Sequence, residues 1–98
     1  MEFSISTKAS NYINEKGGEV VIYKGKRSLG GCSGATIPTP MMKLGNPDRS
    51  HENYQLIKEA GITIYLANEL QKYKGTAKIE LDKILFWKSL SFDYLRDN

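Results

Sequence analysis

The chain has almost none of the residues from which metal and disulfide chemistry is usually built: one cysteine and one histidine among 98 residues. A single thiol cannot close an internal disulfide, which argues against a cross-linked secreted scaffold and leaves Cys32 reduced at rest. One thiol and one imidazole also fall short of the four ligands that zinc or an iron–sulfur cluster normally takes. No apolar run approaches the roughly 18 residues of a membrane-crossing helix, and the start Met1-Glu2-Phe3-Ser4-Ile5-Ser6 lacks the basic and apolar stretches of a signal peptide. The resulting expectations are a cytoplasmic location and no membrane partner. A dense basic block is missing too: the net charge of +3 is spread from Lys8 to Arg96, so no nucleic-acid partner is expected. Neither glycine-rich nucleotide loop pattern occurs.

What remains is an ordinary globular composition, 40% hydrophobic and 26% charged, of a size suited to one core and hence a single domain over residues 1–98. Phe3 and Ile5 alternate with Glu2 and Ser4, the period of a short strand. Ser6 then caps a helix from Thr7 to Lys16 whose apolar stripe is Ala9, Tyr12 and Ile13, and Gly17-Gly18 ends it. The β-branched run in Glu19 to Tyr23 predicts a buried strand, which Lys24-Gly25-Lys26-Arg27 should break. Pro38 and Pro40 restrict Thr36 to Met42 to an edge strand or irregular arm. Gly45 to Asn53 reads as the most exposed loop. Tyr54 to Ile57 and Ile62 to Leu66 form a hairpin around Lys58-Glu59-Ala60-Gly61, and Asn68 starts a helical turn over Glu69 to Lys72. Past Gly75 the alternations Ala77, Ile79, Leu81 and Leu90, Phe92, Tyr94 flank the apolar run Ile84-Leu85-Phe86-Trp87. Large apolar residues at strand spacing are more often core than partner face. The sum is an α+β domain, mainly β, with one N-terminal helix.

The chemical candidate is Cys32 in Gly30-Gly31-Cys32-Ser33-Gly34. Glycines on both sides let the backbone turn several amides toward one sulfur, favouring a thiolate or an anionic ligand. Lys24, Lys26 and Arg27 would lower the thiol pKa if they fold over it. The plainer alternative is a small buried apolar residue, a common fate for free cysteine. His51 sits in polar turn material and reads as a solvated side chain rather than a ligand or base. No orienting third group marks a Cys32–His51 dyad, and no catalytic residue is assigned.

The opening strand and helix from Phe3 to Lys16, the Gly30-Gly31-Cys32-Ser33-Gly34 loop, the stretch Gly61-Ile62-Thr63-Ile64-Tyr65-Leu66 and the turn Tyr73-Lys74-Gly75-Thr76 together resemble the HesB-like family, the A-type iron–sulfur carriers. The resemblance implies a folded mixed sheet or pseudo-barrel. It also implies a metal ion, iron–sulfur cluster or sulfur or selenium species bound through Cys32, with Gly30, Gly31, Ser33 and Gly34 shaping the site. That family's C-terminal Cys-Gly-Cys segment is absent here, so a cluster or single metal ion would have to be shared between two chains or completed by an iron–sulfur or sulfur/selenium metabolism partner. The chain is more similar still to an offshoot of that family named for its Cys-Cys or Cys-selenocysteine motif, with Ser33 in place of the second chalcogen residue. Three functions stay open on these residues: a binding protein using Cys32, a thiol-independent structural protein, and a thiol redox enzyme.

Overall fold

A computed structural model of the chain describes residues 1–28, 34–47 and 51–96. In chain order these form β1 (Glu2–Ile5), α1 (Thr7–Glu15), β2 (Glu19–Ser28), β3 (Thr36–Leu44), a 3-10 turn at His51–Asn53, β4 (Tyr54–Glu59), β5 (Ile62–Ala67), a second 3-10 turn at Asn68–Leu70, β6 (Gly75–Ile84) and β7 (Trp87–Arg96). One mixed sheet has the order β1-β6-β7 and the other β3-β2-β5-β4. The protein is thus mainly β with one N-terminal helix, the expected α+β class.

Helix α1 is set by its ends. Ser6 keeps an extended backbone and its hydroxyl accepts from the Ala9 amide at 3.1 Å, the N-cap arrangement that satisfies an otherwise orphaned donor. At the other end Gly17 and Gly18 both take positive φ, and the Gly18 amide donates to the Ile13 carbonyl at 2.8 Å. That left-handed exit turns the chain directly into β2.

The helix presents Ala9 and Ile13 to a core of Val20, Ile22, Ile62, Ile64, Leu66, Leu70 and Ile79. These residues come from α1, both sheets and the second 3-10 turn, so one apolar cluster ties the elements together. Parallel pairing of β2 with β5 (Glu19–Ile22 against Thr63–Leu66) and of β1 with β6 makes both sheets mixed.

The β4–β5 hairpin is tighter than the sequence suggested. Its strands run to Glu59 and from Ile62, leaving Ala60 (φ 52) and Gly61 (φ 77) as a two-residue turn. Two consecutive positive φ values match the twist of antiparallel strands.

Two expectations are corrected. Lys24-Gly25-Lys26-Arg27 does not break β2: the strand continues to Ser28, with Lys24, Gly25, Lys26 and Arg27 opposite Pro40, Thr39, Pro38 and Ile37. Beyond Ile22, β2 pairs only with β3, and its side chains there (Lys24, Lys26, Arg27, Ser28) are exposed, so the strand continues without an apolar alternation. Pro38 and Pro40 are compatible with the ladder because residues two apart point their amides to the same side, here the open edge of β3. Of the loop expected from Gly45 to Asn53, residues 48–50 lie outside the described residues; Asn46, Glu52 and Asn53 are exposed, while its start is tied to β2, the Gly45 amide donating to the Glu19 carbonyl at 2.9 Å and Asn46 to the Glu19 carboxylate at 3.2 Å, and Pro47 is buried. Second, the run at 85–87 is not core. Leu85, Phe86 and Trp87 are 80%, 97% and 79% exposed at the tip of the β6–β7 hairpin.

Candidate functional site

Cys32 lies in the connection from Ser28 to Thr36, between the two strands of the arm. Gly30, Gly31, Cys32 and Ser33 lie outside the described residues. Gly34, the last residue of the motif, is described: it is exposed, its φ is +70, and among the described residues nothing stands within 4 Å of where a Cβ would be. Glycine is therefore required there by backbone conformation, not by crowding. The His51 side chain also lies outside the described residues. Its backbone opens the 3-10 turn before β4.

The arm positions the motif. The nine cross-strand pairs from Val20↔Leu44 to Ser28↔Thr36 carry it out from the core. Its core end is clamped by Glu19, whose carboxylate accepts from the Tyr65 hydroxyl at 2.6 Å and from Asn46. That hydrogen bond, then burial, then the charge of Glu19 push the Tyr65 hydroxyl pKa above its usual 10.0. Each favours the neutral, donating phenol.

Near the arm's outer end, a groove of about 720 Å³ runs between β3 and the β7 side of the other sheet. Ile37, Pro38, Thr39 and Pro40 form one wall, and Tyr73, Tyr94 and Arg96 stand on the other. Arg27, Lys72 and Lys74 complete it. A second hollow of about 390 Å³ shares Arg27, Thr39, Pro40 and Tyr94 and adds Lys26, Met41, Met42, Phe92 and Asp93. The Tyr94 hydroxyl donates to the Lys74 carbonyl, and the Tyr73 and Tyr94 rings meet at 6.0 Å between centroids, tilted by 58°. These contacts hold the aromatic wall.

Sequence reasoning had Arg27, Lys24 and Lys26 near the motif but missed Lys72, Tyr73, Lys74, Tyr94 and Arg96. The latter come from segments far along the chain, and only the packing of β7 against the arm brings them to the same groove. The alternation Leu90, Phe92, Tyr94 puts Tyr94 on the inward strand face, and its pairing with buried Ala77 agrees, but nothing in the sequence sets that face against the arm. Among the described residues, no group of three or more His, Cys, Asp or Glu side chains is arranged to hold a metal ion, and no helix is long and apolar enough to cross a membrane.

The structure thus defines a two-sheet α+β protein whose glycine-rich motif is carried on a hairpin arm. Residues 1–95 match the model of the CC/Se motif containing family, and the chain belongs to that family. No curated protein and no solved structure matches it. The one cysteine of this chain, Cys32, is followed by Ser33, so the sequence contains no adjacent cysteine pair.

Proposed function

We propose that this protein is a binding protein rather than an enzyme, using Cys32 to hold a metal ion, an iron–sulfur cluster or a sulfur or selenium species between two copies of the chain or with a partner. The observation that carries the reading is membership, over residues 1–95, of a family defined by a chalcogen motif, with the chain's one thiol set among Gly30, Gly31 and Gly34. The positive φ of Gly34 supports a tight bend after the thiol. Lys24, Lys26 and Arg27 on the neighbouring strand would favour thiolate over thiol wherever they reach the sulfur.

The donor set limits the ligand. One thiol per chain does not fit a complete zinc or iron–sulfur site, which normally takes four protein ligands. Two chains bring two thiols, and the remaining positions would fall to a partner or a small ligand. This leaves the protein closer to a HesB-like carrier that shares its cargo than to one that encloses it.

Anaerobic purification with metal analysis, wild type beside Cys32→Ala, tests the reading. Iron or zinc at less than one per chain, lost in Cys32→Ala, is expected. Metal-free protein that also fails to accept a reconstituted cluster or react with a sulfur or selenium donor would overturn it. Ser33 favours one alternative, because a hydroxyl cannot complete a vicinal disulfide or selenenylsulfide: an interaction protein that keeps the fold without the thiol chemistry. An inert, solvent-inaccessible Cys32 thiol would support that alternative.

A further inference from the structure

We infer that the groove between β3 and β7 is a binding site for a small organic polyanion, a phosphate- or carboxylate-bearing molecule with a flat or apolar body. The inference goes beyond the proposed role of Cys32 and does not depend on it.

Four cations line this groove, Arg27, Lys72, Lys74 and Arg96, and no carboxylate lines it among the described residues. None of the four is neutralised within the described structure, whose ion pair is Lys78 with Glu80 on β6. Like charges gathered around a concavity repel one another, and an anion relieves that repulsion while the low-dielectric walls concentrate the field. The two arginines come from opposite walls, Arg27 from the arm and Arg96 from the end of β7. Planar guanidinium groups can each grip phosphate or carboxylate oxygens through two parallel N–H donors.

The rest of the lining suits an organic body rather than a bare ion. Tyr73 and Tyr94 present ring surface, with Pro38 and Pro40 opposite them as rigid walls. A volume of about 720 Å³ lies within the usual 300–1,000 Å³ range of small-molecule sites. The adjoining hollow holds Asp93 beside Lys26 and Arg27, so its charge is mixed. The polyanion therefore belongs in the larger groove. Arg27 faces Ile37 one pair before Ser28↔Thr36, the last pair before the segment carrying Cys32. An anion held there sits at the root of that segment.

The test is titration of the full chain, in low-salt buffer, with ATP, pyrophosphate and citrate, followed calorimetrically and by amide chemical shifts, with adenosine as the uncharged control. Saturable binding that shifts the amides of Arg27, Ile37, Tyr73 and Arg96, weakens with added salt and is absent for adenosine supports the proposal. A response to ATP without citrate assigns the phosphate source and a response to citrate without ATP the carboxylate source, whereas pyrophosphate binding more tightly than ATP would overturn the organic body. The double variant R27Q/R96Q should bind at least about tenfold more weakly, and Lys8→Gln on α1 should bind as the wild type does. If the arginine variant does not fold, K72Q/K74Q carries the same expectation. Cys32→Ala should retain anion affinity whatever its metal content, which separates this proposal from the preceding one. No response to any of the three anions, binding unmoved by the charge variants, or capture of only an acidic peptide or oligonucleotide would overturn it.

Discussion

The two long hairpins of this protein have the same strand lengths on β2 and β6, ten residues each, yet they treat their outer halves in opposite ways. The β6–β7 hairpin keeps an inward face of Ala77, Ile79, Leu81, Leu90 and Phe92 against the helix and core, then ends in exposed Leu85, Phe86 and Trp87. The β2–β3 hairpin leaves the core after Ile22 and runs outward on polar and cationic residues and prolines toward a glycine-rich connection. One hairpin is held by what lies beneath it. The other is held chiefly by its own ladder, which frees its side chains for a groove.

The comparison can be broken first at Gly75, where β6 begins. Its φ is +148, and a Cβ there would collide with the Leu95 carbonyl oxygen and come within 3.0 Å of the Arg96 Cα, both on β7. Backbone atoms cannot swing aside, so Gly75→Ala should cost about 4 kcal/mol, combining positive-φ strain with overpacking. Chemical denaturation would show it as a lower midpoint. A loss below about 1 kcal/mol would mean that the two strands meet differently at this point.

Next comes a matched pair of truncations. Ile79→Ala, at a fully buried position of β6, should cost about 3 kcal/mol as a cavity-forming change. Ile37→Ala, 41% exposed on the arm, should cost less than about 0.5 kcal/mol. Equal losses would erase the distinction between the hairpins.

A smaller effect sharpens it. Leu85 holds a positive φ of 55 in the two-residue connection of β6–β7, without the glycine or asparagine such a turn favours. Leu85→Gly should raise stability by about 1 kcal/mol, read as a higher melting temperature, because the first turn position alone holds a positive φ and the side chain removed is exposed. The β4–β5 hairpin already has Gly61 in its second turn position, so Gly61→Ala there should move the other way.

The smallest effect concerns pH at the core end of the arm. The Tyr65 pKa is raised above 10.0 in the folded chain by the hydrogen bond to Glu19, by burial and by that residue's charge. A folded-state pKa above the unfolded one adds stability that is intact below about pH 10 and is lost as pH rises through the folded value. Tyr65→Phe should flatten the alkaline limb of the stability–pH curve. An unchanged limb would mean that the phenol and carboxylate are not coupled.

Much of the fold was readable because it obeys local rules. Ser6 and Gly17-Gly18 bracket the helix, Ala60-Gly61 closes a hairpin, and Pro38 with Pro40 marks an edge strand. The errors share one physical origin. Hydrophobic alternation reports burial, so it is silent about a two-stranded arm such as Tyr23 to Ser28, and it misreads an apolar run lifted off the core. Leu85-Phe86 carries no turn-forming residue, which removes the one signal that could have split the run. The glycine-rich motif was legible as a segment, whereas the cationic groove was not, because Arg27, Tyr73 and Arg96 meet only through tertiary packing.

Trp87 is the chain's one tryptophan, and its place on the β6–β7 tip makes it a built-in optical sensor of that end of the molecule. Its emission should report water contact in the isolated protein and shift to shorter wavelength whenever something closes over the tip, with no label attached. The same fluorophore will say little about unfolding of the core, since an indole already facing solvent has scarcely any environment left to lose.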